Sequence, residues 1–308
     1  MSDRTMVQLI SHSTKTLKVR PNGRSADFIT PNFIYGCAGG CRNSYCYVMR
    51  YNYESIFVNN NIDEILKVIN NHINNLPTKA PNQTDEKYWT YDIGCSTDVS
   101  LHWKHTDWLK IFEFFKFHPR AKATFATKYV NIKMLDFNPE EKIRIRFSLM
   151  PQNISQILEL KTSIISERIK AINLFIKAGY EVHLNFSPIV VYRNWLNDYA
   201  LLFEELDSTI DNLYKPKIKA ECIFLTHNAT QHERNINNGN YDSEDLLWQQ
   251  EVQEGKFSQY GGKAIRYKTY IKRDFIEKWT ALHKKIIPWN NIRNFCNIGY
   301  NLLITKIY

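Results

Sequence analysis

Gly36-Cys37-Ala38-Gly39-Gly40-Cys41-Arg42-Asn43-Ser44-Tyr45-Cys46-Tyr47 places three of the chain's six cysteines within ten residues. Three clustered thiolates flanked by glycines can hold three irons of an iron–sulfur cluster and leave the fourth open to a small ligand. Short cysteine spacings also suit tetrahedral zinc, but no histidine lies in the loop and the nearest, His12, is well upstream. Ahead of the loop, residues 27–36 carry Phe28, Ile29, Phe33 and Ile34 as one extended run. That predicts cysteines at the C-terminal end of a strand, the end at which barrel folds carry their chemistry.

Outward from this stretch, the chain alternates strand and helix patterns. Residues 1–26 are polar and basic and predict an irregular arm. Helical spacing marks 62–76, with Ile62, Ile65, Leu66, Ile69 and Ile73, and a helix through Phe117 that Thr106 or Asp107 can cap. A third helix covers 166–178, with Ile165, Ile169, Ile172 and Ile176 in register and Gly179 to end it, and a fourth covers 195–206. Strands are predicted at 88–93, 123–127, 143–150, 181–191 and 219–225. In 143–150, Arg144 and Arg146 alternate with Ile143, Ile145 and Phe147, as a strand with one wet face would. Such alternation predicts an α/β fold of β-α units around a parallel sheet of about six strands over 27–230.

Beyond residue 230 the pattern changes. Residues 256–273 hold six cations and no acid, interleaved with Phe257, Tyr260, Tyr267 and Tyr270. The stretch reads either as a solvated edge hairpin or as a nucleic-acid surface, with cations for phosphates and rings for unstacked bases. The excess of 40 Lys and Arg over 31 Asp and Glu points to a polyanionic partner. A content of 44% hydrophobic residues argues for a packed core and against disorder. No long apolar run predicts a membrane span or secretory signal, and cysteines concentrated in one loop do not form a disulfide framework, so a reducing cytoplasm is expected. Cys222 and Cys296 read as structural. His102, His105, His227 and His232 show no metal-ligand spacing and read as core or surface residues.

The cysteine loop resembles that of the radical S-adenosylmethionine (SAM) superfamily and, with its Tyr-Cys-Tyr ending, most closely the spore photoproduct lyase family. Its second spacing has four residues where the family has two, the excess lying in 42–44. Further stretches resemble the same family in the same order over about 32–279. They are Asp92-Ile93-Gly94-Cys95-Ser96-Thr97-Asp98, Thr127-Lys128, Arg146-Phe147-Ser148, Ser187-Pro188-Ile189 and Gly261-Gly262-Lys263 with Arg266-Tyr267-Lys268. In the first of these the hydroxyl pair is Ser-Thr where the family has Thr-Ser.

The resemblance implies a partial (β/α)6 radical SAM barrel over 27–230, an N-terminal arm over 1–26 and a basic, aromatic extension over 231–308. It implies a [4Fe–4S] cluster on Cys37, Cys41 and Cys46, and SAM contacts from Thr97, Lys128, Ser148 and Ser187. The implied activity is repair of a UV-induced thymine lesion in DNA through a 5′-deoxyadenosyl radical. Cys95 would donate the closing hydrogen, Tyr45 and Tyr47 would relay an electron and proton back to it, and Arg266, Tyr267, Lys268 and Tyr270 would approach the nucleic acid. A flavodoxin or ferredoxin as electron donor and a monomeric state are expected. Two rival readings are a radical SAM enzyme with another nucleic-acid or peptide substrate and a zinc-stabilised nucleic-acid-binding module.

Overall fold

The computed structural model describes residues 6–11, 17–46, 55–257 and 262–296. In chain order the first elements are β1 (Met6–Ile10), β2 (Arg20–Pro21), β3 (Phe28–Ile29), β4 (Ile34–Tyr35), β5 (Ser55–Asn59) and α1 (Ile62–Asn74). There follow β6 (Trp89–Asp92), α2 (Trp108–Phe117), β7 (Ala121–Thr127), β8 (Ile143–Ser148), α3 (Gln152–Leu158), α4 (Ile165–Lys177), β9 (Glu181–Ile189) and α5 (Trp195–Thr209). The last are β10 (Lys219–Phe224), β11 (Thr226–Asn228), α6 (Ala229–Asn237), α7 (Tyr241–Leu247), β12 (Gln253–Phe257), β13 (Lys263–Tyr267), α8 (Thr269–Ile286) and β14 (Asn291–Cys296).

The main sheet has eight strands in the order β14-β10-β9-β8-β7-β6-β3-β2. All pairings from β3 to β14 are parallel, and β2 closes the far edge antiparallel to β3. The sheet is curled. Six strand-to-strand steps separate β3 from β14, roughly 29 Å if the sheet lay flat at about 4.8 Å per step. Yet Arg293 of β14 donates from Nη2 to the carbonyl of Ser25, just ahead of β3, at 2.9 Å. Ser25 Oγ in turn donates to Glu221 Oε2 of β10 at 2.6 Å. Only a half-barrel that brings its edges together can make these bonds.

Curling also corrects the expectation of one wet face on β8, because all six of its residues are buried. Arg146 bonds Asp92 Oδ2 of β6 at 2.6 Å and Glu221 Oε2 of β10 at 3.4 Å, and Arg144 bonds Asp85 Oδ2 at 2.7 Å and Glu181 Oε1 at 2.8 Å. The arginines are inside because the carboxylates that neutralise them are inside too, the condition for burying charge.

The helices cover the outer face. From α2 the side chains of Trp108, Ile111, Phe112 and Phe115 are buried, and from α4 those of Ile165, Ile169, Ile172 and Phe175. Each such burial stabilises by about 1.5–3 kcal/mol. Asp107 caps α2 by accepting the Lys110 N–H, and Gly179 ends the α4 unit at φ +95°, a conformation that suits glycine.

Two expectations fail near the N-terminus. The arm is not wholly irregular, since β1 pairs in parallel with β5 and β2 joins the main sheet. These short edge strands are held through backbone bonds, so their side chains give no alternation to read. The run over 27–36 is not one strand either. Pro31 has no N–H for a ladder, and the chain splits into β3 in the main sheet and β4 in a separate sheet of order β1-β5-β4. Among the described residues, no helix is long and apolar enough to cross a membrane.

Candidate active site

The cysteine loop leaves β4 through Gly36, whose φ of +89° and whose hypothetical Cβ, 2.8 Å from Ser55 O, both require glycine. Gly36 N–H donates to Ser96 O at 3.1 Å. That bond ties the cysteine loop to the loop after β6 that carries Cys95 and Thr97. Next to it, Ala38 N–H donates to His102 Nε2 at 3.2 Å, which packs the imidazole against the loop. A 3-10 turn over Gly40–Asn43 then brings Cys41 round. A Cβ on Gly40 would lie 1.5 Å from Leu160 O, and one on Gly39 would lie 3.3 Å and 3.6 Å from the sulfurs of Cys37 and Cys41. The glycines thus make room for the thiols and for the chain packed behind them.

All three cysteines are free thiols. Burial and the charges of Cys41 and Asp98 push the Cys37 thiol up to about 12. The hydrogen bond between Cys41 and Cys46, with burial, raises Cys41, whereas Cys46 is lowered by that same bond and by the Lys128 ammonium. The hydrogen bond between Cys41 and Cys46, and the sulfurs of Cys37 and Cys41 that both flank Gly39, bring the three thiols together. Lys128 follows the last residue of β7. Burial draws its ammonium down, but Cys41, Glu159, Cys46 and Asp98 outweigh burial and hold it charged.

Tyr45 lies beside Lys128, whose Nζ is 5.7 Å from its ring centroid. The Tyr45 hydroxyl donates to Glu159 Oε1, and Glu159 is paired with Arg168 at 2.7 Å with both side chains fully buried. Burial, followed by the charges of Glu159 and Cys41, keeps the phenol protonated. Ser148 ends β8, and its Oγ accepts from Asn185 Nδ2 of β9 at 3.2 Å. Ser187 lies two residues further along β9, half-buried. Thr97 Oγ1 and Asn185 Oδ1 are buried without a hydrogen-bond partner among the described residues. Such orphaned atoms are rare in folded proteins and mark places where a ligand's polar groups fit.

Cys95 stands exposed on the rim after β6. Partial desolvation and the Asp92 carboxylate, opposed by Arg20 and Arg146, push its thiol up to about 11. It therefore keeps its hydrogen at neutral pH.

The basic stretch is a hairpin of β12 and β13, extended by β11. Tyr267 does not face a nucleic acid as expected: it is fully buried, and its hydroxyl accepts the Val191 N–H at 2.8 Å. The alternation along β13 turns it inward between the more accessible Arg266 and Lys268. Arg266 pairs with Glu254 at 3.0 Å, and Lys268 Nζ donates to Glu251 O at 2.7 Å. Tyr270 and Phe257 are 73% and 75% exposed, rings offered to solvent. Tyr47 and Gly261 lie outside the described residues. Cys222 is buried in the core, as read from the sequence.

The sequence reading missed Glu159, Arg168, Asn185 and His102. Glu159, Asn185 and His102 act through partners far along the chain, Arg168 acts through Glu159 nine residues before it, and none sits in a motif. The Ser148–Asn185 pairing was within reach, because the residue that ends β8 stands in register with Asn185 on the neighbouring parallel strand.

A curled parallel sheet with a three-cysteine, glycine-lined loop and a neutral thiol at the C-terminal rim is the arrangement of a radical SAM enzyme. More particularly, the chain belongs to the spore photoproduct lyase family, whose profile matches residues 1–296. It is 29% identical over 260 residues to spore photoproduct lyase of Bacillus subtilis (strain 168), an alignment covering 82% of this chain and 72% of that protein. It is 24% identical over 288 residues to the enzyme of Geobacillus sp. (strain Y412MC61), covering 91% and 80%. The solved structure of spore photoproduct lyase complexed with dinucleoside spore photoproduct superposes with a TM-score of 0.80 at 23% identity, covering 93% of this chain and 82% of that one. A mutant of spore photoproduct lyase with bound AdoMet and dinucleoside spore photoproduct gives 0.79, also at 23% identity and the same coverage.

Proposed function

We propose that this chain is a radical SAM lyase that repairs the thymine dimer known as spore photoproduct in UV-damaged DNA. Family membership sets the reaction class. The observation that carries the reading to these residues is the Gly36–Ser96 bond, which fixes the cysteine loop against the loop that bears Cys95.

Cys37, Cys41 and Cys46 would hold a [4Fe–4S] cluster. Thr97, Lys128, Ser148 and Ser187 would hold SAM, with Asn185 added to that set because its orphaned oxygen lies beside Ser148. Lys128 offers its charge to a carboxylate, and Thr97 and Asn185 offer unpaired polar atoms. When bound, these groups supply the carbon-centred radical that takes a hydrogen atom from the lesion. Cys95 then gives its S–H hydrogen atom to the thymine radical left by bond cleavage, forming thymine and a sulfur radical. Tyr45, whose hydroxyl is held by the Glu159 carboxylate, returns one electron and one proton to the Cys95 sulfur radical, and the phenoxyl radical left on Tyr45 is reset by one electron from the reductant and one proton from solvent. Tyr47 shares this relay in our reading.

The hairpin approaches the DNA. Lys268 and Arg266 serve phosphates, and Tyr270 serves an unstacked base, with Phe257 as a further ring. Extruding the lesion costs a few kcal/mol, less where stacking is already poor. We take β3 and β6 to β10 as the six barrel strands, residues 1–26 as an arm and 231–308 as the substrate-facing extension. A small flavodoxin or ferredoxin as reductant, a monomer and a cytoplasmic location complete the reading.

The test is reconstitution with iron and sulfide under anaerobic conditions, followed by incubation with SAM, dithionite and dinucleoside spore photoproduct. Conversion to thymine with methionine release supports the proposal. An iron-loaded protein that cleaves SAM but leaves the lesion intact would assign it another substrate.

A further inference from the structure

Three side chains outside the barrel rim converge from three elements: His227 from β11, His232 from α6 and Glu244 from α7. Their donor atoms all lie within 4.8 Å of one another. His227 Nε2 stands 3.0 Å and 3.2 Å from the two oxygens of Glu244, and His232 Nδ1 stands 2.5 Å from Oε2. Tetrahedral zinc, bound at about 2.0–2.2 Å, sets its nitrogen and oxygen ligands about 3.3 Å apart. The two His227–Glu244 separations are close to that, and His232 must move back from Glu244 by less than about 1 Å to admit the ion. Two imidazoles and one carboxylate form a donor set that zinc accepts, with a fourth position left to water.

The surroundings orient His232 and Glu244, as the outer shell of a metal site does, while His227 Nδ1 is buried with no hydrogen-bond partner among the described residues. His227 and Glu244 are buried. The His232 ring is stacked on Trp248 at 3.9 Å between centroids and 13° between planes, which fixes the direction of Nδ1. Asn235 Nδ2 donates to Glu244 Oε1, and Asn235 is itself oriented by Gln231, whose Nε2 donates to Asn235 Oδ1 at 2.7 Å.

We propose that His227 Nε2, His232 Nδ1 and Glu244 bind one divalent cation of the zinc class, and that this centre fastens the C-terminal sheet to the cysteine loop. Binding needs neutral imidazoles that carry their hydrogens on His227 Nδ1 and His232 Nε2. The mechanical link is direct on both sides. β11, which carries His227, pairs with β13 of the hairpin. Asn235 Nδ2, besides its bond to Glu244, donates to Ser44 O at 2.7 Å. Ser44 belongs to the segment where the cysteine loop is longer than the family pattern. A cation that fixes Glu244 thus fixes Asn235, and Asn235 holds the Ser44 carbonyl between Cys41 and Cys46. Histidine spacing alone hid the site, because its third ligand comes from a separate helix.

The test compares metal content, not activity. Wild type, His232→Ala, Glu244→Gln and Cys37→Ala are equilibrated with zinc chloride, gel-filtered and analysed for zinc and iron, with circular dichroism as the fold check. Wild type should carry one zinc per chain more than either His232→Ala or Glu244→Gln, and Cys37→Ala should lose iron yet keep that zinc. A chelator should lower the melting temperature of wild type and leave that of His232→Ala unchanged. Because the side chain of His232 is 23% exposed, its replacement decides the matter even if Glu244→Gln misfolds. Equal zinc in wild type and His232→Ala would overturn the proposal and leave a plain hydrogen-bonded cluster.

Discussion

The Asp98 carboxylate accepts the Lys128 backbone N–H at 2.9 Å, and its other oxygen accepts the Thr127 hydroxyl at 2.8 Å. One buried side chain therefore locks the loop after β6 to the end of β7, so that Thr97 and Lys128 keep a fixed separation. Asp98→Ala strands these buried donors at about 1–3 kcal/mol each. The melting temperature should fall, and calorimetric titration should show SAM affinity reduced at least tenfold. Unchanged affinity would mean that Lys128 is positioned by other means.

Gly40 has no room for even a methyl group, since a Cβ would meet the carbonyl of Leu160. Gly40→Ala should displace Cys41 and lower bound iron sharply after reconstitution, while the circular dichroism of the barrel stays as in wild type. Full iron content in this variant would show that the turn can open without losing the thiol geometry.

Glu159 gives a pH prediction. Burial raises its pKa, but the charges of Arg168 and Lys128, with the hydrogen bonds from Tyr45 and Arg168, bring it below the ordinary 4.5. A carboxylate lowered in the folded state stabilises fully above its unfolded pKa and loses that contribution as pH falls through the folded value. Wild type should therefore lose melting temperature below about pH 4.5 more steeply than Glu159→Gln. At neutral pH the variant should be less stable by about 3–5 kcal/mol, because Arg168 is left buried without a counter-charge. Parallel acid melting curves for the two proteins would contradict the assignment.

Tyr267 and Tyr270 separate core from surface in the hairpin. Tyr267→Ala should cost about 3–5 kcal/mol of stability, as removal of a large buried ring does. Tyr270→Ala should leave the melting temperature unchanged and weaken binding of irradiated DNA. Fluorescence anisotropy with labelled oligonucleotide checks the second. Equal binding by Tyr270→Ala and wild type would remove that ring from the interface.

These cases mark what the sequence makes legible. The helices over α1, α2, α4 and α5 are visible as apolar periodicity, because each buries one stripe against the sheet. The cysteine loop, Cys95 and Lys128 stand out in the sequence as short local patterns, and the structure places Cys95 and Lys128 just after the strands β6 and β7. The curl of the sheet was legible through the family resemblance and not through periodicity: it turns Arg144 and Arg146 inward, and only partners such as Asp85, Asp92 and Glu221, far along the chain, explain their burial. Tyr267 was misread for a related reason. In a cation-rich strand its inward face shows only when β13 is paired between β11 and β12. Glu159 and Asn235 carry no local signal, since each acts by holding the cysteine loop from more than a hundred residues away.

The central claim is that Cys95 closes the repair by giving up its hydrogen, and the Cys95→Ala enzyme tests it most directly. Its thiol, raised to about 11, is protonated at neutral pH and can act as a hydrogen-atom donor there, while Tyr45 stands ready with a protonated phenol. Products of dinucleoside spore photoproduct should be analysed by mass spectrometry for wild type, Cys95→Ala and Tyr45→Phe, with SAM consumption counted in parallel. Wild type should return thymine cleanly. Cys95→Ala should keep its iron and its SAM cleavage but give adducts of the thymine radical with solvent species or reductant, and fewer repaired thymines per SAM. Tyr45→Phe should show a milder excess of SAM use. Clean repair by Cys95→Ala at the wild-type ratio of thymine to SAM would contradict the account.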